Sequence, residues 1–199
     1  LGPYCMDDAR VPLILRQEFL PRMEREKVLD AFVRMDMPFL KVLADMEFHG
    51  VPVDWDYMKV VGEELRQEQT ELEQEIYRMA GRPFGIGSTK QLGELLFKEM
   101  GMPVQRRTGK GAPSTDADTL GILARTQPIC AKILRYRAIT KLLSTYVDGM
   151  ANLKKSDGKL HAQFNQTGTV TGRLSSSQPN MQNLPRGAQI RNAIHAPKG

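Results

Sequence analysis

The chain has 199 residues, of which 41% are apolar and 26% are charged, and its formal net charge is +5. These values are ordinary for a globular protein with one large domain, or one domain and part of a second. We expect no membrane-spanning helix and no secretion signal, because the sequence lacks a long apolar run and a basic, then apolar, first segment. Two distant cysteines argue against a disulfide framework and fit a reducing compartment, and with the three histidines they offer no zinc ligands at usable spacing.

The positive charge is concentrated in two places. Residues 158–199 carry five basic residues and no acidic one, which accounts for the whole net charge. A second patch without acids consists of Arg106, Arg107 and Lys110. Local positive patches on a neutral body are typical of proteins that bind a polyanion, whereas the alternative is basic loops that serve only solubility. We favour a nucleic acid as the partner.

The first 50 residues are predicted to be helical. Tyr4 and Asp8 are one helical turn apart, so they share a face. Residues 22–35 are predicted to form one helix. Asp36 is expected to cap a second helix that Pro38 opens and that Gly50 ends.

A long helix is predicted from the N-cap Asp54 to about residue 80, where Gly81 ends it. An apolar stripe that repeats every seven residues favours packing against a partner helix. The stripe consists of Met58, Leu65, Leu72 and Met79. Because it covers only about three heptads and is interrupted by polar residues, we prefer an antiparallel helix pair to a coiled-coil dimer.

The next helix is expected to begin with a capping box at residues 88–91 and to end at Gly101. Residues 103–113 combine three cations with glycines and prolines, which predicts a mobile tip that offers cations and backbone N–H groups to phosphates. The rival is a glycine-rich nucleotide loop, which lacks its preceding strand and its Gly-Lys-Ser/Thr run. At the following helix, either the N-terminus binds phosphate, or Asp116 and Asp118 satisfy it themselves.

The last long helix is predicted from Pro128 to about residue 151, with an apolar inner face. Its cations, Lys132, Arg135, Arg137 and Lys141, lie on other faces, which are either solvated or available to a partner. Residues 160–164 alternate as a strand does, and residues 190–194 are predicted to be a second strand.

A polar stretch at residues 167–185 reads TGTVTGRLSSSQPNMQNLP and contains neither an acid nor a lysine. Its one arginine, Arg173, can fork onto two acceptors, and Asn180, Gln182 and Asn183 can each donate and accept. Base edges in a groove offer both kinds of partner, which suits this set of side chains. The alternative is a polar surface loop without a ligand.

The run TVTGRLSS, followed closely by PNMQN, resembles the signature T-x-TGRLSS-x-x-PNLQNIP that opens the palm of family A DNA polymerases, the DNA polymerase I group. Met181 and Leu184 replace apolar residues of similar volume. Residues 43–54, 88–97, 111–115 and 133–146 are similar to the family's thumb segments, and the resemblance covers nearly the whole chain. The shorter spacing after Pro185 is similar to phage-type members.

The resemblance implies a mainly α fold with a small β part, in which long antiparallel thumb helices precede the first strands of a palm sheet. Residues 1–20 correspond to the C-terminal end of a 3′-5′ exonuclease domain. Residues 21–152 correspond to a helical thumb with its tip near residues 101–118. Residues 153–199 correspond to the start of the palm.

The resemblance also implies roles for individual residues. Asp8, or alternatively Asp7, holds a divalent metal together with upstream carboxylates outside this chain, and Tyr4 orients the attacking water of the exonuclease. Arg173 reads the minor-groove side of the primer-terminal pair, and three amides hold the template strand near it. These amides are Asn180, Gln182 and Asn183. The other implied DNA-binding residues are Thr169, Arg137 or Lys141, Arg106, Arg107, Lys110, Ser114 and Thr115.

The implied activity is template-directed DNA synthesis, with primer–template DNA and dNTP as partners and Mg²⁺ as the cofactor of the full-length enzyme. Two-metal phosphoryl transfer needs a cluster of carboxylates, and no acid follows Asp157. We therefore expect a monomeric segment that binds DNA but, without a cofactor of its own, neither extends nor proofreads a primer. The alternative is a non-catalytic helical nucleic-acid-binding module; an independent exonuclease is disfavoured because only one of its motifs is present. The expected location is the cytoplasm of a bacterium or a phage-infected cell, with an organelle left open.

Overall fold

The computed structural model describes residues 2–185 and 189–194. Its described part is mainly helical with two small antiparallel sheets, which confirms the predicted fold class. The chain forms two compact units: the first comprises Leu1–Gly50 and His161–Gln182, and the second comprises Val51–Leu160 and Asn183–Gly199. The assignment of residues 1–20, 21–152 and 153–199 to exonuclease, thumb and palm stays a prediction. No helix within the described ranges is long and apolar enough to cross a bilayer.

Two long helical stretches lie in the first unit. The first stretch is helix α1, which spans Gly2–Arg25. After the turn at residues 26–28, the second stretch runs without a break through α2 (Leu29–Ala31), a π-helical turn (Phe32–Asp36) and α3 (Met37–His49). The predicted helix over residues 22–35 is wrong, because the chain turns at Lys27, whose φ is 59°. The predicted N-cap at Asp36 is also wrong: this residue is itself helical, and its side chain makes no capping hydrogen bond. Gly50 ends α3 with a φ of 65°, as predicted.

A β-hairpin completes the first unit. Strand β3 (Gln163–Asn165) pairs with β4 (Ser175–Ser177), with Phe164 opposite Ser176. Glu47 of α3 fixes the hairpin, because its Oε1 accepts from the Phe164 N–H at 2.6 Å. Apolar side chains of the helices and the hairpin line a cavity of about 1010 Å³. The predicted strand over residues 160–164 is divided, since Leu160 pairs in the second unit.

The second unit begins with β1 (Val51–Pro52), which pairs with β2 (Lys159–Leu160), and continues into α4 (Trp55–Ala80). Asp54 Oδ1 accepts from the Tyr57 N–H at 2.9 Å, and Gly81 is left-handed, so both predicted ends of α4 are confirmed. In the predicted stripe Met58 is 2% exposed but Met79 is 40% exposed, because a straight helix drifts away from a seven-residue repeat.

Short helices and turns follow α4. They are α5 (Thr89–Gly93), a π-helical turn (Glu94–Glu99) and α6 (Ala117–Leu123). The capping box is half formed: Ser88 accepts from the Gln91 N–H, but Gln91 Oε1 accepts from the Gly85 N–H instead of returning to Ser88. The buried core of this region includes Ile76, Leu92, Leu96, Leu120, Ile129 and Ile133.

The last helical stretch comprises α7 (Pro128–Lys141), a π-helical turn (Leu142–Val147) and α8 (Asp148–Ala151), as predicted. Ion pairs join α4 to this stretch, and their residue numbers rise on one side as they fall on the other, so the two run antiparallel. The pairs are Arg66–Asp148, Glu68–Arg135 and Glu75–Lys132. Gly62 of α4 lies so close to this stretch that a Cβ on it would lie 2.8 Å from Val147 Cγ1.

Two 3₁₀ turns, Met181–Asn183 and Gln189–Ala193, occupy the described C-terminal part. The predicted strand over residues 190–194 is therefore wrong for most of its length. The segment is nevertheless held at the sheet, because Asp54 N–H donates to Ala193 O at 2.8 Å and Ile194 bridges Val53.

Candidate nucleic-acid interface

The signature loop connects β3 to β4 in the first unit, and its own side chains shape it. Thr169 Oγ1 donates to Arg173 O at 2.6 Å, so the hydroxyl of this predicted DNA-binding residue is used inside the loop. Gly168 approaches the returning strand so closely that a Cβ would lie 2.5 Å from Ser175 Oγ. Gly172 has a φ of 71°, which favours glycine.

Arg173 follows Gly172 at the end of this loop. Its side chain is exposed, and within residues 2–185 and 189–194 the guanidinium has neither a hydrogen-bond partner nor an ion-pair partner. A guanidinium has five N–H donors, so all of them remain available to an external acceptor. The loop therefore presents Arg173 as a cation that no described residue pairs with. Arg66 of α4 and Arg135 of α7, in contrast, pair with carboxylates.

The turn after β4 carries two of the predicted template-binding amides. Ser176 is 6% exposed, and its Oγ lies 3.2 Å from Asn180 Oδ1 and 3.1 Å from the Met181 nitrogen. Asn180 Oδ1 also accepts from the Gln182 N–H at 3.0 Å. Asn180 and Gln182 are both exposed, so the structure brings these two amides together on one short turn.

Asn183 belongs to the second unit, where it lies close to another predicted residue. Its carbonyl accepts from Tyr146 Oη at 2.5 Å, and Asn183 and Lys141 line one cavity of about 670 Å³. Lys141 is exposed at the end of α7, and Glu64 lines the same cavity. The structure thus brings Lys141 and Asn183 together, with Tyr146 as the residue that holds the backbone of Asn183.

The cationic tip, residues 103–113, closes on itself. Thr108 N–H donates to Ala112 O at 2.7 Å, and Arg107 pairs with Pro113 in an isolated β-bridge. Arg107 Nη1 donates to Gly111 O at 2.9 Å. Lys110 is exposed and has no hydrogen-bond or ion-pair partner among the residues that the structure describes. The tip therefore has a hydrogen-bonded hairpin pattern, and Lys110 is its cation without a partner among the described residues; the predicted mobility of the tip stays a prediction.

The base of the tip is tied to α6. Asp116 Oδ1 accepts from the Thr119 N–H at 2.8 Å, and Arg106 Nη2 lies 2.6 Å from Asp116 Oδ2. The backbone hydrogen bond from Thr119 is the main reason that the pKa of Asp116 falls to about 2. Of the two alternatives for this helix end, Asp116 takes the capping role. Ser114 is 5% exposed, so its side chain offers little surface to DNA.

A guanidinium anchors the same region from α7. Arg137 Nη1 donates to Thr115 O at 2.5 Å, and burial lowers the pKa of Arg137. Thr115 itself is 5% exposed. Arg137 is therefore partly engaged inside the protein, whereas Lys141, one turn further along α7, is exposed.

The predicted exonuclease residues lie in α1, where Asp7 and Asp8 are exposed. The side chain of Tyr4 lies outside the described part of the structure. No group of three or more His, Cys, Asp or Glu is found among the residues described, so Asp8 is not part of such a cluster there. The metal-binding role of Asp8 stays a prediction.

Sequence reasoning missed Ser176, Tyr146 and Glu47, which hold the polar segments in place. Ser176 and Tyr146 were within recognised motifs, but a serine or a tyrosine in a motif does not reveal its partner. Glu47 contacts residues more than 100 positions away, which no local pattern indicates.

Known proteins are similar to this chain over most of its length. The family model of DNA polymerase family A matches residues 55–199. DNA polymerase I of Bacillus subtilis (strain 168) is 44% identical over an alignment of 185 positions, which covers 90% of this chain and 21% of that protein. The thermostable DNA polymerase I of Thermus thermophilus is 43% identical over an alignment of 208 positions, which covers all of this chain and 25% of that protein.

A solved structure is also similar. It is the POL domain of Pol1 from M. smegmatis in complex with DNA primer-template and dNTP, with a TM-score of 0.80 and 36% sequence identity. The match covers 90% of this chain and 31% of that chain. The chain thus spans about a fifth to a quarter of the length of these two curated relatives.

Proposed function

Because this chain belongs to DNA polymerase family A, we propose that it is the primer–template-binding part of a DNA-directed DNA polymerase. The observation that carries the proposal is the exposed Arg173, which no acid engages within the described ranges, at the end of the signature loop. The similar POL domain from M. smegmatis was solved with primer-template DNA and dNTP, which supports the same class of ligand here.

Arg173 contacts the minor-groove side of the primer-terminal pair in this proposal. The minor groove offers purine N3 and pyrimidine O2 acceptors in every correct pair, so an arginine there tests the shape of the pair without reading its sequence. The donors of Arg173 have no competing acceptor in the described structure, and contact therefore requires no internal bond to be broken. The amides of Asn180, Gln182 and Asn183 hold the template strand.

The second unit contributes phosphate contacts. Lys141 and Lys110 are exposed cations without an ion-pair partner among the described residues, so they are the strongest candidates. Arg106 already pairs with Asp116, and Arg107 already donates to Gly111 O. Each can therefore bind phosphate only through its remaining N–H donors. Arg137 donates to Thr115 O, the Ser114 N–H donates to Arg106 O, and Ser114 and Thr115 are buried. In this proposal these three residues therefore support the DNA-binding surface more than they contact phosphate.

Mg²⁺ and dNTP belong, in this proposal, to the full-length polymerase. The residues described here do not fit a catalytic Mg²⁺ site, because such a site needs several carboxylate oxygens and no acidic cluster is found among them. We therefore assign this chain DNA binding as a monomer, without nucleotide addition or proofreading of its own. The proposed location is the cytoplasm of a bacterial or phage-infected cell, as the bacterial relatives suggest.

A titration with labelled primer–template DNA at several salt concentrations tests the proposal. Phosphate contacts give a logarithmic affinity that falls with logarithmic salt by about 0.9 per neutralised phosphate. Arg173→Ala should weaken binding to primer–template by about tenfold, whereas Arg78→Ala, an exposed arginine on α4, should change it little.

Two outcomes would count against this assignment. Absence of binding by the wild-type chain at low salt would remove the DNA-binding role altogether. Equal weakening by Arg173→Ala and Arg78→Ala would instead indicate nonspecific charge attraction, the behaviour of a non-catalytic nucleic-acid-binding module.

A further inference from the structure

We propose that Ser176 is a positioning residue for the template strand: it holds Asn180 and Gln182 in their DNA-binding orientation without contacting DNA itself. This inference rests on the proposed function, since it concerns how the same surface is kept in shape. It is carried by three hydrogen bonds within the turn that follows β4.

The Ser176 hydroxyl connects the strand to the turn. A serine hydroxyl has one donor and two acceptor positions. Here it donates to Asn180 Oδ1 at 3.2 Å and accepts from the Met181 N–H at 3.1 Å. One side chain on β4 therefore holds both a side chain and a backbone group of the turn.

The oxygen of the Asn180 amide is fully engaged by the protein. It accepts from Ser176 Oγ and, at 3.0 Å, from the Gln182 N–H, and an amide oxygen has two lone pairs. Only the NH₂ group of Asn180 remains for a ligand. Asn180 is therefore a donor to the template strand, aimed by the bonds at its oxygen, and it must contact an acceptor such as a phosphate oxygen or a base nitrogen.

Ser176 acts through these neighbours because it is buried. It is 6% exposed and lies opposite Phe164 in the hairpin, whereas Ser177, the next residue of β4, is exposed. Removal of the hydroxyl would leave the Met181 N–H without its partner and free the Asn180 side chain to rotate. The Gln182 backbone would lose its fixed acceptor at the same time.

A double-mutant cycle on DNA affinity separates positioning from a purely structural role. The variants are Ser176→Ala, Asn180→Ala and both together in the 199-residue chain, with Ser177→Ala as the matched control. Binding is measured by fluorescence anisotropy on labelled primer–template DNA and on a blunt duplex of the same sequence. We expect Ser176→Ala and Asn180→Ala each to weaken primer–template binding by about three- to tenfold, with a smaller change on the blunt duplex.

The double variant decides the matter. If Ser176 acts through Asn180, the two losses are not additive. The affinity of the double variant for DNA then equals that of whichever single variant binds less tightly. Ser177→Ala should bind as the wild type does. Backbone amide exchange should show faster exchange at Met181 in Ser176→Ala, and no change there in Ser177→Ala.

Failures of the two proposals are distinguishable. If the wild-type chain binds primer–template DNA but Ser176→Ala binds equally well, the positioning role is overturned and the proposed function stands. Additive losses in the double variant, with a folded protein by amide exchange, also overturn it. If the wild type binds no DNA at low salt, the proposed function itself fails.

Discussion

Replacement of Arg137 tests whether this residue contacts DNA or anchors the tip. Its guanidinium donates to Thr115 O at 2.5 Å and is half-buried. A hydrogen bond from a charged group contributes about 1.5–3 kcal/mol, so Arg137→Ala should lower the free energy of unfolding by about this amount. The neighbouring Lys141 is exposed, and Lys141→Ala should change the same free energy by less than about 0.5 kcal/mol.

The salt dependence of DNA binding supplies the second measurement. Loss of one phosphate contact lowers the slope of logarithmic affinity against logarithmic salt by about 0.9. We expect Lys141→Ala to show this loss and Arg137→Ala to keep most of the slope while it loses stability. Urea unfolding measures the first quantity, and DNA titration at several salt concentrations measures the second. An unchanged free energy of unfolding in Arg137→Ala, combined with a lost phosphate contact, would refute the anchoring role.

Three further predictions concern packing, recognition and pH. Gly62→Ala should lower the free energy of unfolding by about 1–3 kcal/mol relative to Gly121→Ala, because the new methyl group meets Val147 in the first case and open space in the second; urea unfolding checks this. Asn180→Asp should keep the turn, because the oxygen acceptor remains, but should lose DNA affinity, because the NH₂ donors are replaced by a negative charge; amide exchange and titration check the two parts. The stability that Asp116 contributes should be present above about pH 4 and be lost as the pH falls through about 2, so Asp116→Asn should lose less stability on acidification than the wild type.

Each of these three predictions has a contradicting result. Equal stability of the two glycine variants would show that α4 and the π-helical turn after α7 separate easily. Wild-type DNA affinity in Asn180→Asp would mean that its NH₂ group faces no acceptor. A parallel acid profile for Asp116→Asn and the wild type would show that the carboxylate is not charged preferentially in the folded state.

Elements encoded by neighbouring residues were predictable. Asp54 caps α4 through a bond to a nitrogen three residues away, and Gly50 and Gly81 end their helices through their own backbone freedom. The signature at residues 167–185 was recognisable because its residue types follow one another in the chain. These features depend on atoms within a few positions, so the sequence by itself determined them.

The failures occurred where distant residues decide. Asp36 continues a helix and accepts hydrogen bonds from the distant Gln166. Residues 189–193 form a 3₁₀ turn whose end lies beside Val53 and Asp54. Likewise, only the folded hairpin shows that Glu47 and Ser176 hold the signature segment. Backbone N–H and C=O groups without a partner in their own helix or turn bond to groups that tertiary packing brings near. Such partners cannot be identified from neighbouring residues in the sequence.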